Sequence, residues 1–237
     1  MKPKDYENYL TEGQNIVNKI NDNITGRVAL NPTISATNVL YALKQLMKDE
    51  CKIVLEIGTL WGGALLTMMQ SEYKSKFVSI DTFNGFYPEL LGKENPDAEG
   101  GINTVEKVTE NINKNNIHNH EFDLVEGSSH DKKVVDYVKK NYPKVEILFI
   151  DGDHTKKGVL QDWEDYSNLV TKGGIVIFDD YWTGQYEKAA WKKEDENGVK
   201  WMDVVGAVDE IMASENFNEK WKEVALFADK KIIERIQ

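Results

Sequence analysis

Residues 52–63 read Lys-Ile-Val-Leu-Glu-Ile-Gly-Thr-Leu-Trp-Gly-Gly, and this stretch decides the fold class. Apolar character through Ile53, Val54, Leu55 and Ile57 is nearly continuous, which marks a strand covered on both faces. The glycine turn at Gly58, Gly62 and Gly63 then opens a helix. Working outward, the strand candidates are Lys52–Ile57 itself, Phe77–Ile80, Phe122–Val125, Val145–Ile150 and Ile175–Phe178. Between them lie stretches of helical period. Val134, Val135, Val138 and Tyr142 share one face, as do Val159, Trp163, Tyr166 and Val170, and then Val204, Val205, Val208 and Met212. This alternation predicts an α/β fold in three layers, a mostly parallel sheet with helices on both faces.

Both ends of the chain depart from that rhythm. Val224–Phe227 and Ile232–Ile236 are separated by only about four residues around Asp229-Lys230, too few for a parallel crossover, so they predict an antiparallel hairpin. At the other end, helices are expected over Asp5–Asn21 and Ser35–Asp49, punctuated by Asn31-Pro32-Thr33. Residues 1–50 are read as a helical cap on a domain of residues 51–237, the two forming one globular unit. Three stretches have the length of functional loops: Thr82–Gly101, Gly127–His130 and Tyr181–Val199, the last carrying Trp182, Tyr186 and Trp191.

Composition excludes several classes. A chain of 237 residues buries roughly 70–75% of its unfolded surface and needs no staple. The single cysteine, Cys51, rules out an internal disulfide framework or a multi-cysteine zinc site and reads as a packing residue. A net charge of −11 argues against a nucleic-acid partner. No apolar run approaches the ~20 residues that span a bilayer. The start, Met-Lys-Pro-Lys-Asp-Tyr-Glu, lacks the apolar stretch of a signal peptide, so a cytoplasmic location off the membrane is expected, with a homo-oligomer left open.

The chemistry gathers at strand ends. Glycines at 58, 62 and 63 let a ligand approach the backbone, although their spacing is not that of a dinucleotide fingerprint. Glu56 lies inside the first strand end. Asp81, at the end of the second strand, can accept two hydrogen bonds from a ribose diol. Phe149-Ile150-Asp151-Gly152-Asp153-His154 and Ile175-Val176-Ile177-Phe178-Asp179-Asp180 close the fourth and fifth strands. Crowded carboxylates at Asp151, Asp179 and Asp180 repel one another unless a cation joins them, and all-oxygen donors favour a hard ion such as Mg²⁺. The bland alternative is that these aspartates cap helices and make turns. His154 has the intrinsic pKa of a general base. Val125-Glu126-Gly127-Ser128-Ser129-His130 suits contact with a purine, or Ser128 or Ser129 caps the helix from Asp131. His118 and His120 read as loop residues, and Trp163 as core.

Together these motifs, with Asp-Thr-Phe-Asn-Gly-Phe at 81–86, resemble class I S-adenosylmethionine-dependent methyltransferases. More closely they resemble the macrocin O-methyltransferase and cephalosporin hydroxylase-like group, which includes Mg²⁺-dependent sugar O-methyltransferases. The resemblance covers about residues 35–181 and continues weakly beyond. It implies a seven-stranded sheet in the order 3-2-1-4-5-7-6. It implies cofactor contacts at Glu56, Gly58, Thr59, Gly62, Gly63, Asp81, Gly127, Ser128, Ser129, His130 and Asp151. Glu56 and Gly58 would take the methionine part, Asp81 the ribose, and Ser129 and His130 would neighbour the adenine. Asp151, Asp179 and Asp180 would hold Mg²⁺, with His154 as base and Asp151 beside it in catalysis. Some family members have Glu where this chain has Asp179. The expected activity is methyl transfer to a hydroxyl of a sugar or similar small molecule. An NAD-dependent oxidoreductase and a non-catalytic interaction protein on the same fold are the rivals.

Overall fold

A computed structural model describes residues 3–28, 36–85, 102–182 and 202–237. The expected punctuation at Asn31-Pro32-Thr33, most of the loop 82–101 and most of the loop 181–199 lie outside these residues. The chain divides into two compact units, Met1–Lys52 with Thr59–Ser128, and Ile53–Gly58 with Ser129–Gln237. The N-terminal helices therefore group with residues 59–128, and the division runs through the sheet.

In the first unit, α1 (Pro3–Asn21) and α2 (Asn38–Met47) pack on each other and on α3 (Gly63–Met69). Val17, Leu40, Leu65 and Leu66 are fully buried there. The unit also holds β2 (Lys76–Asp81), α4 (Val105–Asn115) and β3 (Glu121–Glu126). β2 and β3 run parallel in register from Lys76 opposite Glu121 to Asp81 opposite Glu126. Thr104 starts α4, its hydroxyl accepting the Lys107 N–H at 3.3 Å.

The second unit contains β1 (Ile53–Ile57), α5 (Lys132–Asn141), β4 (Val145–Ile150), α6 (Lys156–Tyr166) and β5 (Val170–Phe178). It continues with α7 (Val204–Ala213), α8 (Phe217–Lys220), β6 (Trp221–Phe227) and β7 (Lys230–Arg235). β1, β4 and β5 are parallel neighbours, and β7 pairs antiparallel with both β5 and β6. The seven strands form one sheet in the order β3-β2-β1-β4-β5-β7-β6, as the resemblance implied. Among the described residues, no helix is long and apolar enough to cross a membrane.

Two elements differ from the sequence reading. β5 begins at Val170 rather than Ile175, but its register jumps from Val145–Val170 to Ile147–Ile175. Residues 171–174 bulge out of the ladder, with Gly173 at φ +82°, so Ile175–Phe178 remains the buried, regular part. The hairpin link is also shorter than expected. Only Ala228 and Asp229 separate β6 from β7, so Lys230 opens a buried strand instead of sitting in a turn.

Trp163 is half-buried, its ring 4.8 Å from that of Trp221 and 6.0 Å from that of Phe178. His120, expected in a loop, is 4% exposed. Its Nε2 lies 2.9 Å from the Ser71 carbonyl, its Nδ1 accepts the Ser75 N–H at 3.3 Å, and its ring meets Phe77 edge-on. Burial lowers its pKa from the ordinary 6.5. A histidine held neutral in the fold loses stability as the unfolded chain takes up its proton. Melting temperature is therefore expected to fall as pH drops below about 6.5 toward the folded value, and to fall less in His120→Gln. Parallel pH–melting curves for the two proteins would count against this assignment.

Candidate active site

The glycine turn belongs to the first unit from Thr59 onward. Gly58, at φ +91° in the second unit, closes β1 against the end of β4. A Cβ there would lie 2.0 Å from the Asp151 carbonyl oxygen, so the glycine is demanded by chain packing. Gly63 is likewise demanded by Val28, whose Cα would sit 2.4 Å from an added Cβ. At Gly62 an added Cβ would meet only the Val108 side chain, at 3.3 Å. Thr59 anchors the turn below, its hydroxyl 2.5 Å from that of Ser79.

Asp81 ends β2 as expected, but its carboxylate faces the turn. Oδ2 accepts the N–H groups of Thr59 at 2.8 Å and Leu60 at 2.9 Å. Oδ1 accepts the Phe83 N–H at 2.7 Å and lies 3.5 Å from Asn103 Nδ2. Asn103 is 1% exposed and escaped the sequence reading. It donates to the Leu60 carbonyl at 2.9 Å and accepts the Gly85 N–H at 2.8 Å. The Asp81 carbonyl accepts the N–H of Gly127, which tethers the turn after β3.

In the second unit, the ends of β1, β4 and β5 are stitched by the Asp151 N–H to the Ile57 carbonyl (2.8 Å) and the Asp179 N–H to the Ile150 carbonyl (3.0 Å). Glu56 is fully buried one residue before the end of β1, opposite Phe149. Past these ends, Asp151, His154 and Asp180 converge, one donor atom from each lying within 4.8 Å of the others. His154 Nε2 is 3.1 Å from Asp151 Oδ1 and its Nδ1 is 3.5 Å from Asp180 Oδ2. Its carbonyl accepts the N–H of Asp203, which itself caps α7. Thr155, not Asp151, caps α6, so the capping alternative fails for Asp151.

The charges in this cluster are strongly coupled. Burial and the neighbouring Asp179 push the Asp151 carboxyl up, against the pull of His154. Asp180 is raised by burial as well, with Asp179 adding to it and His154 opposing. Burial disfavours charge on His154, but its hydrogen bond to Asp151 and the charges of Asp180, Asp151 and Asp179 win and hold it at about 9. The imidazole is therefore protonated at neutral pH until carboxylate charge is compensated. His154 is 9% exposed, whereas Asp151 and Asp180 keep 28% and 25% of their side chains open to a ligand.

Asp151 and Asp180 offer carboxylate oxygens, the donors a hard divalent cation takes, while the third member of the group, His154, offers an imidazole nitrogen. Ligand oxygens about 2.1 Å from Mg²⁺ stand at most about 4.2 Å apart, so a spread of up to 4.8 Å needs only slight closure. Asp179 is differently engaged. Its Oδ1 accepts Lys230 Nζ at 2.6 Å and the Asp180 N–H at 2.8 Å. Lys230, fully buried, also pairs with Asp229 at 3.2 Å, so the second acidic group, Asp179, Asp180 and Asp229, already holds an ammonium. Antiparallel pairing of β7 with the end of β5 was the signal that could have placed Lys230 at this rim. Trp182 Nε1 donates to Asp180 Oδ1 at 2.7 Å, tying the start of the aromatic loop to the cluster.

The loop after β3 lacks the expected serine cap, because Asp131 occupies the N-cap position of α5 and makes no side-chain cap bond. Ser129 instead offers its carbonyl to the Tyr166 hydroxyl at 2.6 Å. His130 Nε2 sits 3.1 Å from Asp162 Oδ1 on α6. This bond raises the His130 pKa, while burial raises that of Asp162.

The family described as "Methyltransferase domain" matches residues 55–181, more than half of the chain. An uncharacterised protein of Acanthamoeba polyphaga mimivirus is 33% identical over 134 residues, 56% of this chain and 53% of that protein. The chain thus spans about half the length of this curated relative. Among solved structures, the O-methyltransferase NovP superposes with a TM-score of 0.61 at 16% identity, covering 98% of this chain and all of that one. The O-methyltransferase from Bacillus cereus, in complex with SAH, gives 0.58 at 15% identity over 97% and 91% of the two chains. MycE methyltransferase from the mycinamycin pathway, with Mg and SAH, gives 0.53 at 15% identity over 83% and 48%. Sheet order, strand-end chemistry and family match agree: the chain belongs to the methyltransferase-domain family, and its matched region is a class I, S-adenosylmethionine-dependent methyltransferase domain.

Proposed function

We propose that the protein is a divalent-metal-dependent O-methyltransferase that transfers the methyl group of S-adenosylmethionine to a hydroxyl of a sugar or similar small metabolite. The observation that carries this reading is the convergence of Asp151, His154 and Asp180 beyond adjacent parallel strands. Similarity to O-methyltransferases, one of them described with Mg, supports it. Bound at Asp151 and Asp180, a divalent cation would lower the pKa of an acceptor hydroxyl.

The chain's own residues supply the rest. Glu56 and Gly58 are assigned to the donor's methionine end, and residues 127–130 to its adenine. His154 takes the hydroxyl proton once its carboxylate neighbours are compensated. The acceptor oxygen gains the methyl group as the carbon–sulfur bond breaks, leaving S-adenosylhomocysteine. Orientation of donor and acceptor provides much of the acceleration.

The test is methyl transfer from labelled S-adenosylmethionine to a panel of sugar diols. Activity is expected to vanish in EDTA and return with Mg²⁺. Transfer that persists in EDTA removes the metal from the reaction, and NADH binding in place of S-adenosylhomocysteine removes the donor.

A further inference from the structure

We propose that Asp162 and Tyr166, one turn apart on α6, are positioning residues that set Ser129 and His130 to receive the base of the donor. This deepens the reading of S-adenosylmethionine as donor and rests on it.

The two side chains hold the segment that follows β3 from one side. Residues four apart share a face of a helix. The Tyr166 hydroxyl donates to the Ser129 carbonyl at 2.6 Å. Asp162 Oδ1 lies 3.1 Å from His130 Nε2, and the Ser129 side chain bears on the same carboxylate. Asp162 and Tyr166 are both fully buried, whereas His130 keeps 25% of its side chain exposed. A ligand arriving beyond β3 therefore meets the imidazole, and Asp162 acts through it.

Packing alone does not call for an aspartate here. Val159, Asp162 and Tyr166 follow the helical spacing i, i+3 and i+7, and all three are buried. An apolar side chain at 162 would complete that face, while a buried carboxylate carries a desolvation penalty. Helix initiation does not require it either, because Thr155 caps α6. What Asp162 faces is His130, four residues past the carboxyl end of a parallel strand, the side of the sheet where α/β folds bind ligands. Asp153 is the other carboxylate whose charge reaches the pair, and its Oδ1 accepts the Thr155 N–H at 2.9 Å. One helix thus starts beside His154 and, further along, holds the segment assigned to adenine.

Asp162→Asn keeps the size of the side chain and removes its charge. Calorimetry measures binding of S-adenosylhomocysteine, and of S-ribosylhomocysteine, which lacks the adenine, to both proteins. The proposal predicts a loss of about tenfold for S-adenosylhomocysteine and a change within about twofold for S-ribosylhomocysteine. Tyr166→Phe removes only the hydroxyl. It is expected to cost about threefold, again only for the ligand that carries the base. That variant carries the test if Asp162→Asn does not fold. Equal losses for the two ligands would overturn the proposal by making the contacts a general support of the domain. Unchanged affinity for both ligands would overturn it outright. If the unsubstituted protein binds no S-adenosylhomocysteine, the donor reading falls and this proposal with it. If it binds and the variants match it, only the positioning role falls.

Discussion

Lys230→Met lowers folding stability by about 3–5 kcal/mol, because it strips the cation from a buried charge group and leaves the anions behind. The Lys230 side chain is 1% exposed and Asp229 2%, so water cannot take over the solvation. Asp229 is raised to about 6 by burial and by Asp179 and Asp180, with Lys230 opposing. A carboxyl whose folded pKa exceeds its unfolded one costs stability as pH rises through that window. Loss of Lys230 moves the window upward. The deficit is therefore largest near pH 8 and shrinks toward pH 5, where Asp229 is protonated. Urea melts at both pH values check this. Adding Asp229→Asn is expected to restore part of the loss, a non-additivity that two independent sites would not show. Equal stability of Lys230→Met and the unsubstituted protein at pH 8 would refute the counter-charge role.

His154→Ala is expected to lower kcat by about 10²–10⁴-fold, the usual contribution of a positioned general base. Affinity for S-adenosylhomocysteine should change little. The imidazole stands between Asp151 and Asp180, so its removal discriminates between two roles. Unchanged Mg²⁺ affinity with lost turnover marks a base, whereas a parallel loss of Mg²⁺ affinity marks a ligand. Full activity in the variant would exclude both. In the protein without compensating cation, His154 is held charged up to about pH 9, and a charged imidazole accepts no proton. Chelation is therefore expected to disable the base as well as the acceptor.

Strand cores were legible because continuous apolar runs at 53–57, 145–150 and 175–178 mark strands buried on both faces, and β4 matches its expected bounds residue for residue. The β5 bulge was not, because Thr171-Lys172-Gly173-Gly174 looks like a turn and only the register of Val145 shows that the strand resumes across it. Strand-end placement put Asp151, Asp179, Asp180 and His154 at one rim, but the ligand group it gave, Asp151, Asp179 and Asp180, differs from the observed Asp151–His154–Asp180 group, since Asp179 pairs with Lys230. Lys230 was not legible, because a lysine beside Asp229 in a short link reads as a solvated turn until antiparallel pairing places it against β5. Asp81 illustrates a different limit. Its position at the end of β2 is visible in the sequence, but the direction of its carboxylate depends on N–H groups at residues 59, 60 and 83.

The hairpin also imposes an order on biogenesis. β7 inserts between β5 and β6, and its first residue supplies the ammonium that Asp179 needs. Synthesis reaches Asp179 some fifty residues before it reaches Lys230. A nascent chain stalled between them carries β5 with an unfilled edge and an orphaned acid. The edge of β5 and the counter-charge of Asp179 are thus completed only once β7 has been made.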